Sequence, residues 1–234
     1  MRALTLLTAL ACIAITACGG SAPTAPKRVT TAALAPSTVA TVATAQPEPK
    51  AKPKPPPNPG SLPQTDRLPS AATPQFRSEM AALWTGVARD SLRAALPAFF
   101  PEQAYVQVKA IADPEADYAA RLLGGYQLDI AAAHALLGTR SQAARLIGVV
   151  VPETYAHWVS PGACYNRVGY YEVPNARVVY RLGGESRSFG IASMISWRGV
   201  WYVVHLGAVV RPGSGGVVDD PSEGAGESIP SSTC

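Results

Sequence analysis

The spacing of apolar residues changes near residue 145, and this change limits the chain to a small set of folds. Between residues 74 and 137 apolar side chains recur every three to four positions, the period of an amphipathic helix. From Arg145 onward they form short runs rich in Val, Ile, Tyr and Trp, which are typical of strands. We therefore predict an α+β domain at residues 74–211, with N-terminal helices packed on a C-terminal antiparallel β-meander.

The helical part has a clear beginning. Thr73 can cap a helix whose first residue is Pro74, because proline lacks only an N–H that would be unpaired at that position. Helical spacing then continues for about twenty residues, until Pro97 breaks it. The next segment, residues 102–111, fits a helix but also alternates like a strand, so both interpretations stay open.

Two further helices follow this ambiguous segment. Asp113 precedes a proline and a glutamate, which is a helix-start pattern. We expect Gly124 and Gly125 to end or kink that helix. A last helix should close at Gly138, where glycine allows the left-handed conformation that often ends helices.

The second half contains five strand-forming runs. They are LIGVVV, NRVGYYEV, ARVVYRL, SRSFGIASMISW and VWYVVHLGAVV, separated by turn residues at 161–162, 174–175, 183–184 and 198–199. Short turns between successive runs favour antiparallel pairing of neighbouring strands.

A two-residue turn at Arg198 and Gly199 sets the predicted register of the last two strands. It places Trp197 opposite Val200, Ile195 opposite Tyr202, Ser193 opposite Val204 and Ile191 opposite Leu206. The other face of these strands carries Met194, Trp201, Val203 and His205. Because this second set is too apolar to face water, we expect both faces of the sheet to be covered.

The first eighteen residues predict export. Arg2 precedes an apolar run at residues 3–15, and small residues lead to Cys18. The run is too short to span a bilayer, which needs about twenty apolar residues. The sequence ITAC resembles the lipobox of bacterial lipoproteins. This resemblance implies that residues 1–17 are removed and that Cys18 carries acyl chains. The alternative is an ordinary secretory signal that is cleaved nearby and leaves Cys18 free.

Residues 18–73 are predicted to form a lipidated, disordered linker. The stretch from 19 to 73 holds twelve of the chain's twenty-two prolines and no aromatic residue, so it cannot bury enough apolar surface to fold. Its segment PEPKAKPKPPPNP favours polyproline II and would act as a semi-rigid spacer. The lysines in that segment either meet anionic lipid head groups or wall polymers, or keep a solvated linker extended.

Charge is distributed unevenly along the chain. Residues 19–73 carry a net charge of +4, residues 74–212 carry +3 and residues 213–234 carry −4. No region is basic enough to indicate nucleic-acid binding. The Gly- and Ser-rich residues 212–234 are predicted to form a flexible acidic tail. Lys109 is the only lysine after residue 54, a bias that we associate with GC-rich bacterial genomes such as those of actinobacteria.

Two cysteines remain outside the signal and its lipobox. A disulfide between Cys164 and Cys234 would close a loop of about 71 residues and stabilise the fold by roughly 4 kcal/mol. The alternatives are a buried free thiol at Cys164 and a loose or intermolecular Cys234. No cysteine or histidine pair has the spacing of a zinc site, so we predict no metal and no cofactor.

No catalytic motif is present, and we assign no catalytic residue. Walker loops, dinucleotide fingerprints, HExxH and nucleophile elbows are all missing from the sequence. Ser193, His205 and Asp129 are the residue types of a triad, but the predicted register puts Ser193 and His205 on opposite faces. His205 could instead line a pocket beside Trp201 and Met194, or be a half-buried structural histidine. His134 and His157 are interpreted as structural residues.

The order of elements in residues 74–211 looks like the cystatin-like roll of ketosteroid isomerases and nuclear transport factors. That resemblance implies a strongly bent sheet with a cavity between it and the helices. Those isomerases set a carboxylate base against a tyrosine, and Asp129 and Tyr126 do not align with such a motif. The stretch SMISWRGVWYVVHLG also resembles the ending of actinobacterial exported proteins without assigned activity, which implies a location and no chemistry.

Two functions fit these features. The first is a membrane-anchored lipoprotein on the outer face of the cell membrane, whose non-catalytic domain binds a small apolar ligand or a cell-envelope protein. The second is a small isomerase or hydratase with His205 or Asp129 as general base.

The lipobox interpretation leads to a direct test. Replacing Cys18 with Ser should release the protein from membranes, because the serine hydroxyl cannot carry the thioether-linked lipid that holds it there. Fractionation of cells followed by detergent partitioning measures this. Cys234→Ser is the matched control and should stay with the membrane. Unchanged partitioning of the Cys18 variant would contradict the anchor.

Overall fold

The structure is a computed structural model that describes residues 58–209 and 213–231. Helices in the N-terminal part pack on a six-stranded antiparallel sheet, which confirms the predicted α+β class. The helices are α1 (Pro74–Arg89), α2 (Leu92–Ala95), α3 (Glu102–Val108), α4 (Pro114–Asp117) and α5 (Gly124–Leu137). The strands are β1 (Arg145–Val150), β2 (His157–Val159), β3 (Tyr170–Leu182), β4 (Glu185–Trp197), β5 (Val200–His205) and β6 (Asp219–Glu223).

The predicted signal peptide, the lipidation site Cys18 and the linker as far as residue 57 lie outside the described residues. Among the described residues, no helix combines the length and the apolar character that crossing a membrane requires.

Helix α1 starts as predicted but ends earlier. The Thr73 hydroxyl accepts a hydrogen bond from the Phe76 amide at 3.1 Å, and Pro74 is the first helical residue. The helix stops at Asp90, which adopts a left-handed conformation with φ of 49°. The chain then turns back, and α2 packs closely against α1 at Gly86, which has no side chain. A Cβ at this position would come within 2.5 Å of the Ala95 Cβ in α2. The predicted twenty-residue helix is therefore two helices packed together.

The ambiguous segment after residue 101 is helical, and the next two predicted helices are joined. Between α4 and α5 the residues Tyr118–Leu123 form a π-helical turn, so the backbone stays helical through Gly124 and Gly125. Gly138 follows α5 with a positive φ of 58°, in agreement with the predicted stop. Short π-helical turns inside α-helices occur often at functional sites.

The sheet is built around the long hairpin of β3 and β4. Gly183 and Gly184 form its two-residue turn, both with positive φ, and Leu182 pairs with Glu185. Strands β1 and β2 pair with opposite ends of β3, and β6 and β5 pair with opposite ends of β4. The turn predicted at residues 174–175 is wrong: Asn175 has a φ of 54° but β3 continues through it. Asparagine tolerates this conformation better than most residues, so the strand is distorted locally without ending.

A β-bulge changes the predicted register of β4 and β5. Trp197 pairs with Val200 and Ile195 with Tyr202, as expected from the two-residue turn. Ser193, however, pairs with His205 and not with Val204, because β5 contains one extra residue between the pairs. The predicted placement of Ser193 and His205 on opposite faces is therefore wrong.

Both faces of the sheet are covered, as the sequence predicted. All ten residues 188–197 of β4 are buried, although successive side chains point to opposite faces. Trp84 of α1 packs against Tyr180 with ring centroids 5.3 Å apart, and Phe100 contacts Trp197 and Tyr202 edge-on.

The folded domain begins earlier than residue 74. The Trp197 indole donates a hydrogen bond to the Pro59 carbonyl at 2.8 Å. The Gln64 side chain donates to the Ser196 carbonyl and accepts from the Arg198 amide. Residues 59–64, predicted to belong to the linker, therefore pack along the β4–β5 turn.

The predicted acidic tail contributes a strand. Asp219–Glu223 form β6, and Gly190 of β4 pairs with Asp219. The buried guanidinium of Arg177 makes a 2.8 Å ion pair with Asp220, which accounts for an acidic residue in this segment. The sequence did not predict β6, because its residues are mostly polar and show no apolar alternation. The strand is held by backbone pairing with β4 and by the ion pair with Arg177.

A buried carboxyl on α1 makes a pH-dependent prediction. Burial raises the pKa of Glu79 from 4.5 to about 7, although hydrogen bonds with Gln75 and Tyr202 oppose this. The folded state thus disfavours the charged form, so stability is full below pH 4.5 and falls as pH rises toward 7, by up to about 3 kcal/mol.

Replacing Glu79 with Gln should therefore leave stability at pH 4.5 nearly unchanged and increase it at pH 8. Urea unfolding at the two pH values gives the free energies of unfolding. Glu227→Gln, at an exposed carboxyl, is the control and should follow the wild type. If the free energy of unfolding depends on pH equally in Glu79→Gln and in the wild type, the Glu79 carboxyl is not the cause of that dependence.

Candidate functional site

A cavity of about 140 Å³ lies where α3, the π-helical turn and the sheet meet. Its walls combine charged, aromatic and aliphatic side chains: Tyr105, Val108, Lys109, Arg121, Cys164, Tyr170, Glu172, Ser193, Ile195, Val204, His205 and Val209. A second cavity of about 340 Å³ adjoins it and shares four of these residues, namely Arg121, Val204, His205 and Val209. We call the first of the two the Glu172 cavity.

Glu172 of β3 is the central polar residue of this cavity. It is 1% exposed, and its Oε1 accepts a hydrogen bond from the Ser193 hydroxyl at 2.9 Å. Its Oε2 has no hydrogen-bond partner among the described residues, and lies 3.8 Å from the His157 Nε2. Burial raises the pKa of this carboxyl, while the Ser193 hydrogen bond and the charges of His157 and Lys109 oppose the rise. Glu172 can therefore be neutral at a higher pH than an exposed glutamate.

Lys109 supplies a cation to the same cavity. It follows the last residue of α3, and its ammonium donates a hydrogen bond to the Cys164 carbonyl at 3.1 Å. Within the described residues this carbonyl is its sole hydrogen-bond partner. The backbone there is fixed, because the Lys109 carbonyl accepts from the Arg167 guanidinium at 2.8 Å. Burial, and then the neighbouring charge of Arg121, lower the pKa of Lys109, while the charges of Asp117 and Glu172 oppose this.

Arg121 lies in the π-helical turn, and its charge is already balanced. Its guanidinium contacts both carboxylate oxygens of Asp117, the closest at 2.8 Å, and donates to the Tyr105 hydroxyl at 2.7 Å. Tyr105 in turn donates a short hydrogen bond to Asp117. Burial and the Asp117 carboxylate raise the pKa of Tyr105, which stays protonated at neutral pH. The three residues form a neutral network at the edge of the cavity.

The predicted pocket residues are separated by the bulge. His205 lines both cavities and pairs across the sheet with Ser193. Trp201 and Met194 are fully buried in the core and contribute to neither of these two cavities. The structure thus brings His205 together with Ser193 and Glu172 and not with its predicted neighbours.

Asp129, the predicted alternative base, holds the backbone in place. Its two carboxylate oxygens accept hydrogen bonds from the Gly207 amide at 3.0 Å and the Val217 amide at 3.1 Å. It is 1% exposed and lines the second cavity. These bonds join the segment after β5 to the segment before β6, so this carboxylate positions the chain.

The structure bears on some of the remaining cysteine and histidine predictions and leaves the others untested. Cys164 is disulfide-bonded, and the other cysteines of the chain, including Cys234, lie outside the described residues. The proposed pairing with Cys234 therefore stays a prediction. His134 bonds to the Val87 carbonyl at 2.8 Å, which suits a structural role. Across the described ranges, no group of three His, Cys, Asp or Glu side chains could hold a metal ion.

Sequence reasoning missed Glu172, Lys109 and the contact of His157 with Glu172. A signal for Glu172 was present, since it interrupts the strand run YYEV with a charge on a strand whose two faces are buried. Lys109 stands out as the single lysine of the domain. The sequence could not predict that Lys109 and Glu172 line the same cavity, because α3 and β3 are far apart along the chain.

Comparison with known proteins adds no relative: no family model, no curated protein and no solved structure matches this chain. A functional proposal therefore has to come from the geometry of the Glu172 cavity and from the N-terminal sequence.

The role assigned to Asp129 can be tested by Asp129→Asn. An amide has one acceptor oxygen and would set an N–H group against a backbone N–H, so the protein should lose about 2 kcal/mol or more. Urea unfolding measures the loss, and hydrogen exchange should become faster at the Gly207 and Val217 amides. Asp90→Asn, on an exposed left-handed residue, is the control. Unchanged stability of Asp129→Asn would contradict this role.

Proposed function

We propose that the protein is anchored by lipid to the outer face of the cell membrane, and that its α+β domain binds a small polar molecule in the Glu172 cavity. The observation that carries this proposal is the Oε2 atom of Glu172, which is buried without a hydrogen-bond partner among the described residues. Buried polar atoms in folded proteins are nearly always paired with protein, water or ligand atoms. A ligand that hydrogen-bonds this oxygen would satisfy it.

The size of the cavity limits the ligand. A cavity of roughly 150 Å³ can hold a molecule as large as benzene. The Glu172 cavity has a volume of about 140 Å³, so it suits a ligand with about six non-hydrogen atoms. A longer molecule could extend into the adjoining cavity beside His205.

The lining favours a ligand with polar and apolar parts over the purely apolar ligand that the sequence suggested. Lys109, Glu172 and Ser193 line the cavity together with the aliphatic side chains of Ile195 and Val204. An entirely apolar occupant would leave the charged and hydroxyl groups without partners, at a cost of about 1–3 kcal/mol for each buried group.

The proposed lipid anchor at Cys18 is supported by features of the amino-acid sequence only. The apolar run, the ITAC tetrapeptide and the Pro-rich stretch that follows are the features of an exported, acylated protein with a spacer. On this proposal the binding domain lies outside the cytosol and stays close to the membrane.

A second candidate is an enzyme that transfers a proton, of the isomerase or hydratase kind. It is favoured by one observation: a carboxyl with a raised pKa and an unpartnered oxygen lines the cavity at Glu172. Asp129 is less suited, because both of its oxygens accept backbone hydrogen bonds. Recovery of a bound compound unchanged distinguishes binding from turnover.

Binding can be tested with the full-length protein in mild detergent. A panel of small polar compounds of about six non-hydrogen atoms should raise the unfolding temperature. A compound at 100 times its Kd should add about 2.7 kcal/mol of stability. Val204→Trp should fill the cavity and abolish the shift. Val150→Trp, on a side chain that is 54% exposed in β1, should leave it intact.

Mass spectrometry of the bound compound completes the test. Recovery of unchanged compound supports the binding proposal, and an isomerised or hydrated product supports the enzyme. If no compound in the panel shifts the unfolding temperature, the binding proposal fails.

A further inference from the structure

We propose that the ligand of the Glu172 cavity is a short-chain organic monocarboxylate. Its carboxylate group binds the Lys109 ammonium, and its hydrocarbon chain packs against Val108, Ile195 and Val204. This inference rests on the proposed binding function and names the chemical class of the ligand.

The charges around the cavity favour an anion. Arg121 is neutralised by Asp117 through a 2.8 Å ion pair. Lys109 meets a neutral carbonyl, that of Cys164, as its hydrogen-bond partner within the described residues. A cation that is partly removed from water gains stability from an opposite charge nearby. A carboxylate in the cavity would supply a further such charge, beside those of Asp117 and Glu172 that already act on Lys109.

Glu172 does not take this place in the described structure. Its Oε1 accepts from the Ser193 hydroxyl, and no ion pair joins it to Lys109 in the part of the chain that the structure describes. Burial favours its neutral form, and a neutral carboxyl has an O–H group to donate. When Glu172 is protonated, it and Lys109 offer a hydrogen-bond donor and a cation to the same carboxylate.

The other walls exclude larger or more highly charged anions. One lysine and one carboxyl donor are few for a phosphate, which proteins bind with arginine clusters or rows of backbone amides. The aliphatic side chains of Val108, Ile195 and Val204 require a hydrocarbon part. A volume of about 140 Å³ limits that part to a short chain.

Binding should be coupled to uptake of a proton. The titratable or charged groups that face Glu172 are His157 from β2, Lys109 after α3 and Tyr170 on β3. Tyr105, Arg121 and His205 also line the cavity. A ligand carboxylate beside Glu172 disfavours its charged form further, because like charges repel. Affinity should therefore rise as the pH is lowered.

Isothermal titration calorimetry of the full-length protein in mild detergent tests the ligand class. Sodium butyrate and sodium hexanoate should bind. Butanamide, which has nearly the same shape without the charge, should bind at least about tenfold more weakly, the factor expected for one lost charge-assisted hydrogen bond. Tighter binding of butanamide or of inorganic phosphate than of butyrate would overturn the proposal.

Variants locate the binding groups. Lys109→Met should lose about tenfold or more in butyrate affinity, and Lys109→Arg should restore part of it because the cation is kept. Arg93→Met, at an exposed cation on α2, is the control. Glu172→Gln is neutral at every pH, so it should bind butyrate at pH 8 and lose most of the pH dependence. His157→Gln should keep that dependence.

The outcomes separate this inference from the proposed function. Unchanged butyrate affinity in folded Lys109→Met, with the fold checked by near-UV circular dichroism, would overturn the carboxylate site. If neutral polar compounds bind and carboxylates do not, ligand binding stands and the monocarboxylate is wrong. If neither kind binds, the proposed function itself fails.

Discussion

Burial of both faces of the β3–β4 hairpin is the constraint on which the rest of the structure depends. A strand pair without a solvent face must satisfy every polar group that it carries, since an unpaired buried charge costs several kcal/mol. Arg177 of β3 meets this requirement in part through Asp220 and Ser188, and Glu172 meets it in part through Ser193. The β6 segment is thus bound to the hairpin by a charged side chain as well as by backbone pairing.

This constraint explains which features could be predicted from the sequence. Local patterns fixed the helical class of the first half, the cap at Thr73, the stop at Gly138 and the turns at Gly183–Gly184 and Arg198–Gly199. Each of these depends on neighbouring residues only. Strand β6 and the packing of the segment before α1 depend on partners at least 29 residues away, Arg187–Gly190 and Ser196–Arg198 respectively. Their Pro-, Gly- and Asp-rich composition carries no apolar period that would reveal them.

The candidate site was hidden by one extra residue in β5. An alternation argument is reliable only while the strands stay in register, since a slip by one position reverses every side chain. The bulge beside Val204 makes that slip and sets His205 opposite Ser193. Glu172 could have been noticed as a charge inside an apolar run. Its neighbours Lys109 and His157 come from other elements, and only the fold brings them near.

Two buried glutamates show that the location of a buried carboxyl decides whether it only destabilises the fold or can also bind a ligand. Both Glu79 and Glu172 have a raised pKa that burial causes, and each has one carboxyl oxygen without a partner among the described residues. Glu79 lies on the core-facing side of α1 and hydrogen-bonds with Gln75 and Tyr202. Glu172 lies on the wall of a cavity that Lys109 also lines, and the hydrogen-bond partner of this cation among the described residues is a neutral carbonyl. The desolvation cost is of the same kind in both, but at Glu172 a bound molecule could offset it. Selection for stability alone would favour removing both carboxyls, so the one that a ligand can reach is the stronger evidence of function.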